Sequence, residues 1–224
     1  MSTLIRFLLV SMFITMLVGC GASGDATTTL MSANTPTPSL HTLADNRLEF
    51  TVGELELAVQ RPSDWEVYAT EYGVVLAEYI SSVATDGQLG GLLTHIFVPP
   101  LEDFDLQISD GVNLAWRILG QIIENPDYVG SATVSEPVAF RWNNFDAAYY
   151  LMDNGEGNVT IVVGVVPPGT QYLIACSISA PVTQSERIRQ VLPELLDNLT
   201  INSTTLDGSA LNTLPNPLIF PQHS

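Results

Sequence analysis

The chain has 224 residues, with 24 acidic side chains, seven basic ones and a formal net charge of −17. All seven bases are Arg, which excludes lysine Schiff-base chemistry and the lysine-dependent phosphate loop. Nucleic-acid binding and flat docking on anionic lipid both rest on clustered cations, so this balance argues against each.

In chain order, the first element is MSTLIRFLLVSMFITMLVGC. One charge, Arg6, precedes an apolar run from Phe7 to Val18 that is too short to span a bilayer. A positive start, a short apolar stretch and a small-residue end describe a secretory signal peptide, residues 1–19. Leu17-Val18-Gly19-Cys20 resembles the lipobox of bacterial lipoproteins. That resemblance implies cleavage before Cys20, a diacylglyceryl group on its thiol and an acyl group, such as palmitate, on its new amino end. Two or more acyl chains hold a protein on a membrane, whereas one holds only marginally. The alternative is an uncleaved anchor with a chance cysteine. The lipobox implies a bacterial cell envelope, with the chain lipid-anchored on the extracytoplasmic face.

Residues 20–45 are rich in Thr, Ser, Ala, Gly and Pro without helical or strand period. They read as a disordered linker, because such a composition buries too little apolar surface to offset ordering entropy. His41 falls within it as a solvated bystander. Patterned hydrophobicity fills 46–201, the size of one domain. With Cys20 committed to lipid, Cys176 has no disulfide partner within the chain.

The domain opens with RLEFTV and ELELAVQ, two period-2 segments about Gly53, which predict a β-hairpin. Residues 66–79 give a second strand pair about Tyr72-Gly73. LLTHIFV is a strand closed by Pro99-Pro100. The acidic loop LEDFDLQISDG follows. Val112, Ala115, Ile118, Leu119, Ile122 and Ile123 then keep a 3.6-residue period, predicting a helix capped by Ser109 or Asp110 and ended by Asn125-Pro126.

From 132 the pattern is β again. TVSEPVAF is a strand and RWNN a turn. FDAAYYLMD and NVTIVVGVV are joined across Asn154-Gly155, a type I′ signal. NVTIVVGVV is apolar almost throughout, as in a central strand covered on both faces. Pro168-Gly169 suits a type II turn before QYLIACSISA. Thr183 to Glu186 spells a capping box for a last helix, with Pro193 expected to kink or break it. NLTI adds a short strand, and residues 202–224 read as a disordered tail. The elements make an α+β class, an antiparallel sheet with about two helices.

PSDW after an opening hairpin, a mid-domain helix, SEPVAFRWNNFDAAYYLM, two apolar strands and a closing helix together resemble the PsbP-like superfamily. It includes the extrinsic PsbP subunit of photosystem II, the Mog Ran-binding factor and DcrB-type bacterial lipoproteins. The resemblance covers residues 46–201. It departs at Asn144-Phe145, where members typically carry Gly in the turn. It implies an α/β/α sandwich, a sheet flanked by helices, and a binding or assembly role without catalytic residues.

The residues themselves offer little catalysis. His95, the one histidine of the domain, lies mid-strand beside apolar neighbours, and no G-x-S-x-G elbow accompanies it. Cys176 lies mid-strand as a core thiol. Asp103, Asp105 and Asp110, with Glu102, are candidate Ca²⁺ ligands, but their spacing lacks the full EF-hand loop. Trp65 and Trp116 read as core, and Trp142 as a turn residue. The expectation is a non-enzyme without cofactor, bound to membrane by its lipid and to an envelope protein as partner. The alternative is a cell-surface module for a small ligand or Ca²⁺.

Overall fold

The structure, a computed structural model, describes residues 39–42, 46–79, 88–106 and 111–222. The signal peptide, Cys20, most of the linker and Asp110 lie outside the described residues.

Among the described residues, two antiparallel sheets and three α-helices form the domain. β2 (Arg47–Val52) and β3 (Leu55–Gln60) are the predicted hairpin, pairing Val52 with Leu55 across Gly53-Glu54. β1 (Ser39–Thr42) pairs β2. This corrects the linker assignment at its end, where His41 sits exposed on a strand. On the other side of β3 come β12 (Thr200–Ile201), the strand expected of NLTI, and β13 (Thr204–Thr205).

The larger sheet runs β4 (Glu66–Thr70), β5 (Gly73–Ala77), β6 (Leu93–Phe97), β11 (Ile174–Pro181), β10 (Asn158–Val166) and β9 (Phe145–Asp153). On the outer side of β9, β7 (Thr133–Val134) and β8 (Val138–Trp142) pair with it end to end.

Alternation along the central strands makes two cores. All nine residues of β10 are buried, as its sequence predicts. Val159, Ile161, Val163 and Val165 face the main core, which the small sheet and helix α3 (Ser185–Leu196) also line. Val162 and Val166 face the second cluster, built on helix α1 (Leu114–Glu124). A short helix, α2 (Pro126–Val129), follows directly.

Gly164 is what lets α1 come close. A Cβ there would stand 3.1 Å from Leu173 Cδ1 and 3.3 Å from Leu119 Cδ2. Its cross-strand neighbours Ala148 and Ala175 are fully buried and carry only a methyl group each. This row of short side chains is a trough for the helix, and close packing in it is the source of dispersion contact.

Several helix and turn assignments are corrected. α1 starts at Leu114 with Asn113 as its cap, whose side-chain oxygen accepts the Trp116 N–H at 2.9 Å. Val112 therefore precedes the helix and stands exposed. α3 does not form its capping box; a 3-10 turn over Val182–Gln184 leads into it, and Gln184 caps without a side-chain bond. It also runs through Pro193 to Leu196, held by four buried residues: Ile188, Leu192, Leu195 and Leu196. Tertiary packing here outweighs the missing N–H. The β9–β10 connection is a four-residue loop, 154–157, rather than a two-residue type I′ turn. The Asn154 side-chain oxygen accepts the N–H groups of Glu156 and Asn158 and shapes it.

The tail expectation is also corrected. Leu206, Leu211 and Leu214 are buried in the main core. Trp142 Nε1 donates to Asp207 O at 2.9 Å, and Arg189 donates to the carbonyls of Leu214 and Pro215. Three leucines spaced without a helical period carry no secondary-structure signal, yet they bury as well as any.

Candidate functional site

The residues expected to carry chemistry sit in inert places. Cys176 is a free, buried thiol on β11, and burial pushes its pKa up, away from the thiolate a nucleophile needs. His95 is half-buried on β6 between Val75 of β5 and Ser177 of β11, with its ring 5.1 Å from that of Phe97. Burial lowers its pKa to about 4. The Ser177 hydroxyl donates to the His95 main-chain oxygen at 3.5 Å, so this pair does not have nucleophile–base geometry.

Asp103 belongs to a 3-10 turn, Leu101–Asp103, beside the β4–β5 turn. Burial, then the Glu102 charge, raise its pKa. Neither Asp103 nor Asp105 joins a group of three potential metal ligands among the described residues. Trp65 is buried as expected. Trp142 is buried too, at the end of β8 rather than in a turn, while Trp116 is 41% exposed, which reverses the two expectations.

A cleft of about 290 Å³ lies at the head of α1. Its walls are Leu114, Arg141, Asn144, Asp146 and the segment Val166-Pro167-Pro168-Gly169-Thr170. Each wall has a local cause. β8 and β9 join through the two-residue turn Asn143-Asn144, with Asn143 at φ 55°, so Arg141 and Asp146 are cross-strand partners. The far wall is the expected type II turn. Thr170 N–H donates to Pro167 O, and Gly169 at φ 76° takes the position that disfavours a Cβ.

Asp146 holds the cleft together. One carboxylate oxygen accepts the Leu114 N–H at 2.9 Å, at the positive end of α1, and the other accepts Arg141 Nη1 at 2.5 Å. Arg141 Nη1 also reaches Asn144 O at 3.4 Å. Arg141 Nε and Nη2 bond to no described residue, and the side chain is 66% exposed. Other arginines tie distant segments together: Arg61 bonds Asn46, Arg187 forks onto Glu78, and Arg189 holds the C-terminal carbonyls.

Beside the cleft the surface is apolar. Trp116 Nε1 donates to Pro137 O at 2.9 Å, which lays the indole against the start of β8. Val112, just before α1, is also exposed, while Val138 is exposed on the opposite face of β8, in step with Phe140 and Trp142. The side of β8 away from β9 pairs with no strand among the described residues. Sequence reasoning missed Arg141 and Asp146. The signal was present: once RWNN is a two-residue turn, the residues flanking it by one must oppose each other.

No protein-family model matches the chain, and no curated protein matches it. Among solved structures, the chain is similar to the solution structure of cyanobacterial PsbP (CyanoP) from Synechocystis sp. PCC 6803. The identity is 10%, the match covers 83% of this chain and 98% of that one, and the TM-score is 0.42. So loose a likeness carries nothing about site or partner. No described helix is long and apolar enough to cross a membrane.

Proposed function

We propose that this chain is a non-catalytic lipoprotein of the bacterial envelope, anchored through Cys20, whose domain binds a protein partner on the extracytoplasmic side. The observation that carries the binding role is the surface along β8. An unpaired strand edge, a half-exposed Trp116 and a cleft with an exposed arginine lie on its α1 side, and Val138 stands exposed on the opposite face of the same edge strand. Aromatic and arginine side chains are enriched in the anchoring parts of protein interfaces. The settings of His95 and Cys176 support the non-catalytic part, since neither offers an available base or thiolate. We read the layers as α1, the large sheet, and then α3 with the small sheet, an α/β/α arrangement extended by a second sheet.

The test has two arms on the full-length protein in its host membrane. Cys20→Ala should move the protein from the membrane fraction to the soluble one. Mild crosslinking in intact cells should trap wild type with a partner, and Trp116→Ala should reduce that yield. A Cys20→Ala protein that stays membrane-bound refutes the anchor. Wild type that runs alone after crosslinking refutes the binding role.

A further inference from the structure

We propose that the cleft at the head of α1 receives a carboxylate carried by an extended peptide of the partner, with Arg141 as its anchor. This rests on the reading that the domain binds a protein.

The guanidinium is set up for the task. Asp146 occupies Nη1 and fixes the plane, while Asp146 is itself fixed by the Leu114 N–H. The Nε and Nη2 donors are left without a bond to any described residue. That edge of an arginine is a two-donor fork matching a carboxylate. The fork stands two-thirds exposed at the rim of a cleft rather than on open surface. Leu114, Val166, Pro167 and Pro168 give the cleft an apolar lining for the side chain beside the carboxylate, and Asn144 and Thr170 add polar groups.

Charge decides between a free acid and a peptide. A chain at −17 repels small anions, and Arg141, already paired with Asp146, does not offset that field beyond hydrogen-bond reach. A carboxylate delivered on a peptide brings apolar contact with the exposed Trp116 on α1, which a free acid lacks. The volume agrees. About 290 Å³ is at the small end for a ligand pocket, enough for part of a peptide.

The experiment uses the full-length chain, ¹⁵N-labelled in detergent micelles, and reads the arginine Nε–H signals by NMR. Four probes are titrated: a capped apolar tetrapeptide ending in a free acid, the same peptide ending in an amide, the amide peptide with one internal Glu, and acetate. The expected result is a shift of the Arg141 signal with the acid-ended peptide, the Glu peptide or both, and none with the plain amide. Whichever acid binds names the source of the carboxylate. Arg141→Lys should weaken that probe about tenfold, because the charge stays and the fork is lost. Asn144→Asp, at an exposed position, should weaken it comparably by repulsion. The proposal is overturned if the acid and amide peptides act alike, if no probe shifts the signal, or if acetate binds as tightly as the peptides. Crosslinking of Arg141→Lys in cells separates the two readings. A partner trapped undiminished by the variant sinks the carboxylate site and leaves the binding role standing.

Discussion

The setting of His95 makes stability fall on acidification in a defined window. The unfolded chain takes up a proton on this ring near pH 6.5, while the folded chain resists until about pH 4, because burial disfavours the charged form. Between those values the unfolded state binds more protons, so stability drops as pH falls through the window, and His95 contributes no further change below it. A tenfold change in proton affinity is worth about 1.36 kcal/mol, so the full difference is about 3 kcal/mol. The residue as a whole is only half-buried, which makes that figure a ceiling. The assay is urea unfolding of wild type and His95→Gln at pH 7, 6, 5 and 4. Carboxylates such as Glu78, whose pKa the Arg187 bond lowers, add their own acid loss in both proteins, so the difference between the two curves isolates His95. That difference should shift by about 1–3 kcal/mol in favour of the Gln variant from pH 7 to pH 4. Curves that stay parallel throughout refute the burial argument.

Three further outcomes test the packing. The Thr94 hydroxyl, fully buried on β6, has no partner among the described residues, so Thr94→Val should raise stability by about 1 kcal/mol; a loss in the urea midpoint would mean the hydroxyl is bonded. Gly164→Val should cost about 2–3 kcal/mol, since its Cβ already meets Leu173 and Leu119 and its methyl groups must displace α1; Gly164→Ala should stay within about 1 kcal/mol. Deleting the chain after Ser203 removes Leu206, Leu211 and Leu214, each worth about 1.5–3 kcal/mol of burial. That total rivals a typical domain stability, so circular dichroism should show the truncated protein unfolded at 25 °C, and a cooperative melt like that of wild type would contradict it.

How far the sequence reveals this protein depends on whether a residue's role is local. The hairpin at Gly53, the buried strand β10 and the turn at Pro168-Gly169 are written in adjacent residues, and all three form as read. The caps fail at both helices because capping is a competition. Asn113 displaces the earlier candidates where its amide also reaches the carbonyls of Phe140 and Ala147, contacts visible only once β8 and β9 are paired. The tail fails for a related reason. Leu206, Leu211 and Leu214 find their burial against strands far back in the chain and against the preceding helix, a meeting no local pattern announces.

The cleft lies between these cases. Arg141 and Asp146 flank a legible turn, so their pairing follows from the sequence. Their meeting with Leu114 and with 166–170 follows only from the way α1 settles over Gly164. A single missing side chain in the middle of β10 thus sets how near the helix comes, and with it where the head of that helix meets the carboxylate that orients Arg141. The trough and the cleft are therefore coupled. A substitution at Gly164 that lifts α1 should loosen the Asp146–Leu114 bond and blur the fork of Arg141, so the Arg141 Nε–H signal should broaden or shift in Gly164→Ala before any ligand is added. An unchanged signal would mean that the β8–β9 turn alone positions the arginine.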